Sequence, residues 1–217
     1  MSEYILEKQY FVDVVKDLIQ LAEARKEYFT ELDSAIGDGD HGMNLSIGFR
    51  EVEKNLDEWQ KESINGFYKK VGTALLDKVG GSSGPLYGSF FMKFGLPVKT
   101  KGADEGVTFD EFVEMMETGV KIIEKRGKST TGEKTMLDTL RPAQDALRAA
   151  YEGGATPKEA MAKAVEAGKA GLESTRNIVA TKGRAMRLGE RAIGHLDPGA
   201  ASSAEILEVF YNNMPEA

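Results

Sequence analysis

The chain has no cysteine, which excludes disulfides, thiolate metal sites and cysteine nucleophiles together. It has no excess of basic residues either. Its 28 Lys and Arg face 35 Asp and Glu, a formal net charge of −7. That balance argues against nucleic acid or an anionic membrane as partner, since both draw a basic face. Phosphorylated ligands stay open, provided that a metal carries the compensating charge. No uninterrupted apolar stretch approaches the ~20 residues of a membrane span. The first residues, MSEYILEKQYFVDVV, are acidic and periodic, without the basic region and apolar run of a signal peptide. Only two histidines occur, and no nucleophile–base pair is evident. The expectation is a cytoplasmic globular protein. At 217 residues, 41% hydrophobic and 29% charged, the chain can bury a full core and reads as one domain over 1–217.

Runs of alternating β-branched residues are missing too, and the periodicity that is present is helical. Tyr4, Ile5, Phe11, Val12, Val15, Leu18, Ile19 and Ala22 recur at three- and four-residue spacing, the mark of one buried stripe. Further helices are predicted over 43–59 and 64–79, after Gly84-Pro85, from Thr108, over 135–151 with Pro142 near its start or bending it, from Thr156, over 184–193 and over 200–211. Thr108 with Glu111, and Thr156 with Glu159, have capping-box spacing. The prediction is an all-α bundle of about eight helices, antiparallel neighbours joined by loops. The segments IGDGDHG, VGGSSGP, RGKSTTG, TKGR and DPG fall between helices. Loops at one end of such a bundle can converge on a ligand, with glycine admitting backbone N–H groups to a phosphate.

The stretch 33–42, DSAIGDGDHG, holds the densest chemistry. Its glycines satisfy G-x-G-x-x-G, but a long amphipathic helix precedes it instead of a strand, so it is no dinucleotide fold. An EF-hand also fails: counting from Asp38, Gly42 replaces the fifth-position ligand and Phe49 the twelfth-position glutamate. Gly80-Gly81-Ser82-Ser83-Gly84 lacks the P-loop lysine. An acidic turn with Asp33 as N-cap or Asx-turn residue is the plain structural alternative. Against it, Asp33, Asp38 and Asp40 repel strongly if the loop brings them together without a cation. All-carboxylate ligation suits Mg²⁺ or Ca²⁺, and three aspartates can hold one or two magnesium ions against a polyphosphate. Lys182 and Arg184 can reach a phosphate or stay solvated. His41 suits a ligand, proton carrier or ring contact, His195 a helix-end residue, and Met136 core filler.

Taken together, IGDGDHGMN, VGGSSGPLYG, GEKTMLDTL and KGRAMRLGERAIGHLDPGA resemble the nucleotide-binding L subunits of dihydroxyacetone kinases, in order from about Asp33 to Ser203. The resemblance implies a barrel of eight antiparallel helices with Mg–nucleotide in the loops at one end. It implies magnesium ligands at Asp33, Asp38 and Asp40, with two ions expected. It implies ADP contacts at His41, Gly42, Met43, Asn44, Ser82, Ser83, Gly127, Met136, Arg184, Asp197, Pro198 and Gly199, and no further catalytic residue on this chain. Gly39 stands where some relatives carry a bulkier small residue, which adds loop freedom. The implied activity is phosphotransfer to dihydroxyacetone held covalently on a separate dihydroxyacetone-binding kinase subunit. In one mode ADP stays bound and is recharged by a phosphohistidine carrier protein. The alternatives are a subunit of an ATP-dependent kinase for another small ketose, or a non-catalytic nucleotide-sensing docking protein.

Overall fold

A computed structural model describes residues 4–216. Residues 1–3, the start of the segment read above as lacking a signal peptide, and residue 217 lie outside the described residues. Nine α-helices carry the described chain: α1 (Lys8–Ala24), α2 (Lys26–Ile36), α3 (His41–Trp59), α4 (Ile64–Lys78), α5 (Ser83–Phe94), α6 (Phe109–Gly127), α7 (Leu137–Glu152), α8 (Pro157–Ser174) and α9 (Pro198–Asn212). The all-α expectation therefore holds, with α2 as a separate helix and no α-helix over 184–193. From Phe11 to Ala22 the predicted stripe lies buried on α1, which ends before Arg25, whose backbone leaves the helical region (φ −102°, ψ 5°). There its guanidinium pairs with Glu205 of α9 at 2.7 Å and lies 4.1 Å above the Tyr28 ring. Tyr4 and Ile5 precede α1 instead of joining it. Ile5–Leu6 (β1) pairs antiparallel with Val107–Thr108 (β2), Ile5 opposite Thr108 and Leu6 opposite Val107. Two residues are too short for an alternation signal to show in sequence.

Both capping boxes form. Thr108 accepts the Glu111 N–H at 3.2 Å while Glu111 accepts the Thr108 N–H at 2.9 Å, and Thr156 with Glu159 does the same for α8. The predicted helix over 184–193 is instead a 3-10 segment, Ala185–Ala192, interrupted at Gly189 (φ +57°). Only its two end alanines are buried, so no apolar stripe holds it to a regular helix. Pro142 lies inside α7. It supplies no N–H to the Asp138 carbonyl four residues back, and α8 lays Gly171 on that oxygen, where a Cβ would sit 1.9 Å away.

Spatial neighbours follow the chain from α3 to α9, and α1 closes the ring by touching both α9 and α3. The barrel interior is aromatic. Phe94 is fully buried, with its ring 4.7 Å from Tyr68, 5.5 Å from Phe210, 6.3 Å from Phe112 and 6.5 Å from Phe11. One α5 side chain thereby joins α4, α9, α6 and α1. The glycine-rich connections before α3, α5, α7 and α9 meet at one end. Among the described residues, no helix is long and apolar enough to cross a membrane.

Helices α4 and α5 touch backbone to backbone. A Cβ on Gly72 would lie 2.2 Å from the Met92 nitrogen, and one on Gly88 would lie 2.7 Å from the Leu76 nitrogen. Gly72→Ala should cost about 1–3 kcal/mol by forcing these helices apart, read as a lower urea midpoint at unchanged slope. A midpoint equal to the parent's would show that the contact is not tight.

Candidate functional site

Helix α2 ends at Ile36 and α3 begins at His41, so four residues, 37–40, make the turn. Asp33 sits in the last turn of α2, nearly buried at 8% exposure. Its Oδ2 accepts the N–H groups of Asp40 (2.9 Å) and His41 (3.1 Å). Asp33 is thus a cap, but for the following helix and from inside its own. Asp40 stands at the N-cap position of α3 and makes no side-chain cap bond, which leaves its carboxylate unspent.

Two glycines make this arrangement fit. A Cβ on Gly37 would lie 2.1 Å from Asp33 Oδ1. Gly39 takes φ +73°, a left-handed conformation that turns the chain between Asp38 and Asp40. It therefore supplies the turn itself, beyond loop freedom.

One oxygen from each of Asp33, Asp38 and Asp40 lies within 4.8 Å of the others. Three hard anionic oxygens at that spacing fit a hard divalent cation such as Mg²⁺. Arg184 reaches the cluster from another segment and pairs with Asp38 at 2.7 Å.

The cluster edges a cleft of about 250 Å³. Gly81, Ser82 and Ser83 line it at the start of α5, and Asp197, Pro198 and Gly199 at the start of α9. Gly127, Ser129, Lys134, Thr135 and Met136 come from the α6–α7 connection, and Lys182, Gly183, Arg184 and Ala185 from the α8–α9 connection. Ile36, Leu86 and Ile123 add an apolar wall. The N-termini of α3, α5 and α9 converge here and bring partial positive charge.

Of the nucleotide-contact expectations, His41, Ser82, Ser83, Gly127, Met136, Arg184, Asp197, Pro198 and Gly199 line the cleft, and Gly42, Met43 and Asn44 do not. Gly42 packs α3 on α2, its would-be Cβ 2.0 Å from the Lys26 carbonyl oxygen. Met43 is exposed. Asn44 lies against Gly80, with Oδ1 2.8 Å from where a Cβ would be. Met136 both lines the cleft and belongs to the core. His195 is exposed in the turn before α9.

His41 is buried, with Nδ1 2.9 Å from Ser83 Oγ and Nε2 2.9 Å from Ser202 Oγ. Ser202 Oγ lies 2.6 Å from the Tyr87 hydroxyl, which also donates to the Gly199 carbonyl at 3.2 Å. The sequence offered no serine–histidine pair, yet the fold makes one from residues 42 apart. It is a poor base. Burial pulls the imidazole down to about 4, against an upward pull from the Asp40 charge, and its far nitrogen meets a hydroxyl where a triad has a carboxylate. Loss of water around Asp197 pushes its carboxyl up to about 7, opposed by the Ala200 N–H and Lys134 and reinforced by Asp138 and Asp33.

Lys134, Thr135 and Ser129 line the cleft without having been singled out. Two of them, Lys134 and Thr135, belong to the motif GEKTMLDTL.

A family model for the DAK2 domain matches residues 35–212. The chain belongs to the DAK2-domain family. It is 48% identical over 219 aligned positions, spanning 100% of both chains, to the ADP-binding subunit DhaL of phosphoenolpyruvate-dependent dihydroxyacetone kinase 2 of Listeria innocua. The corresponding DhaL subunit of Escherichia coli is 39% identical over 85% of this chain and 86% of its own. Among solved structures, the dihydroxyacetone kinase of C. freundii in complex with AMP-PNP and Mg²⁺ superposes with a TM-score of 0.69 at 25% identity. That match covers 94% of this DAK2 chain and 33% of the solved one.

With its pKa lowered, His41 contributes stability that is complete above its ordinary value of 6.5 and is lost as pH falls toward about 4. In a proton NMR titration of the two histidines, the His41 ring should stay neutral until pH approaches 4. Titration of the His41 ring near 6.5 would show that it is solvated.

Proposed function

We propose that this DAK2-family chain is the ADP-binding subunit of a dihydroxyacetone kinase, and that all 217 residues form one nucleotide-binding unit. The observation that carries this is the Asp33–Asp38–Asp40 cluster at the edge of a glycine-lined cleft where three helices begin. Full-length similarity to subunits named for ADP binding and for dependence on phosphoenolpyruvate supports the same reading.

Asp33, Asp38 and Asp40 would hold magnesium, which when bound neutralises phosphate charge during phosphoryl transfer. Two ions are our reading, because magnesium commonly takes only one or two carboxylates and completes its shell with water and phosphate. Asp33 enters that set already oriented, since its Oδ2 is fixed by two backbone N–H groups. The N-termini of α5 and α9 face the phosphates with backbone N–H groups. Arg184 pairs with Asp38 at 2.7 Å, so it stands beside a carboxylate that would also serve the metal. The cleft contributes positioning and charge, with the weakly basic His41 fixing Ser83 in place. The acceptor hydroxyl is then deprotonated elsewhere, on a dihydroxyacetone-binding partner subunit. A phosphohistidine carrier protein recharges ADP that stays on this chain, and the assembly works in the cytoplasm.

Purified protein, denatured and chromatographed, should release stoichiometric ADP. Mixed with the dihydroxyacetone-binding subunit, it should turn over with the phosphocarrier protein and stay idle with free ATP alone. Turnover on free ATP overturns the carrier assignment in favour of an ATP-dependent ketose kinase. Asp38→Asn should weaken Mg–ADP binding ~100-fold, as expected for loss of one charge from a partly buried ion cluster, with the helical circular dichroism unchanged. Calorimetric affinity equal to the parent's would remove Asp38 from the metal site.

A further inference from the structure

Lys134 is buried to 1% exposure, although lysine normally keeps its ammonium in water. Its backbone is left-handed, φ +61°, which a residue with a Cβ keeps only where its surroundings over-determine it. The ammonium donates to two backbone carbonyls, those of Thr175 and, at 2.5 Å, His195. Burial lowers the ammonium's pKa while the carboxylates of Asp197 and Asp138 raise it.

Thr175 and His195 are the two sides of a stem. Between them, residues 176–194 leave the barrel and return to start α9. Neutral groups also close this stem: the Gly194 N–H donates to the Arg176 carbonyl at 2.7 Å, and the Asp197 N–H to Thr175 Oγ1 at 3.1 Å. Lys134 adds a charged clamp from a different part of the chain, the 128–136 loop. Asp138 organises that loop by accepting the N–H groups of Gly132 and Thr135 at 2.5 and 2.7 Å. The clamped excursion carries Arg184 to Asp38, and its stem leads directly into the Asp197–Gly199 turn.

We propose that Lys134 is a positioning residue. By holding the carbonyls of Thr175 and His195 together, it sets where Arg184 and the Asp197–Gly199 turn meet the phosphates of a nucleotide in the cleft. This role takes the cleft to be the nucleotide site proposed above.

Lys134→Met keeps length and bulk without a donor, and Lys134→Arg keeps charge and donors. Lys182, Arg184, Arg187 and Arg191 place trypsin sites within the excursion. Loss of two charge-assisted bonds should make Lys134→Met cleave there about tenfold faster than the parent and bind Mg–ADP about tenfold more weakly. The barrel should stay resistant, and Lys134→Arg should recover most of the affinity. Cleavage at the parent's rate, sensitivity spread over the whole barrel, or a Lys134→Arg variant as weak as Lys134→Met each overturns the clamp. If the parent itself binds no Mg–ADP, the nucleotide reading falls while the cleavage comparison still decides the clamp. Should Lys134→Met not fold, hydrogen exchange on the parent decides. The Gly194 and Asp197 amides should exchange as slowly as the barrel helices, and exchange at exposed-loop rates overturns the proposal.

Discussion

Asp33 divides its carboxylate between two tasks, and the site depends on that division. One oxygen takes the first free N–H groups of α3 and fixes where that helix begins. The other faces Gly37, whose missing side chain leaves it room. Because the helix start is held from α2, Asp40 is released from the capping role its position would assign it, and Gly39 turns Asp38 in beside it. Three carboxylates then stand close enough to repel one another strongly. Arg184 meets part of that charge, and a divalent cation is the natural complement for the rest.

The barrel makes this crowding tolerable by keeping it at one end. Phe94 and its ring partners fill the interior and fix the helix axes. Glycine at the α4–α5 crossing and at the α7–α8 crossing lets backbones meet directly. With the shafts set by apolar packing, the connections carry the polar chemistry, and several glycine-bearing loops open onto the same cleft.

Much of this is legible from sequence because it is local. A threonine three residues before a glutamate announces a helix start, and Asp38-Gly39-Asp40 announces a turn that brings like charges together. What was missed depends on distant neighbours. Arg25, at the break after the first helix, pairs with Glu205, 180 residues away. The His41–Ser83 contact and the Lys134 clamp also join remote segments, and a lysine's ordinary preference for water points away from burial. Met43 and Asn44 belong to the motif, but each helical residue turns the side chain by about 100°. Met43, two positions beyond His41, points to the opposite side and is exposed, whereas Asn44, three positions on, stays near the His41 face but lies against Gly80.

His41 starts α3, touches Ser83 at the start of α5 and touches Ser202 in α9. One imidazole therefore cross-braces three helix starts that border the cleft, and through Tyr87 the brace extends to the Gly199 carbonyl. A receptor built this way orders its walls when it folds instead of when its guest arrives.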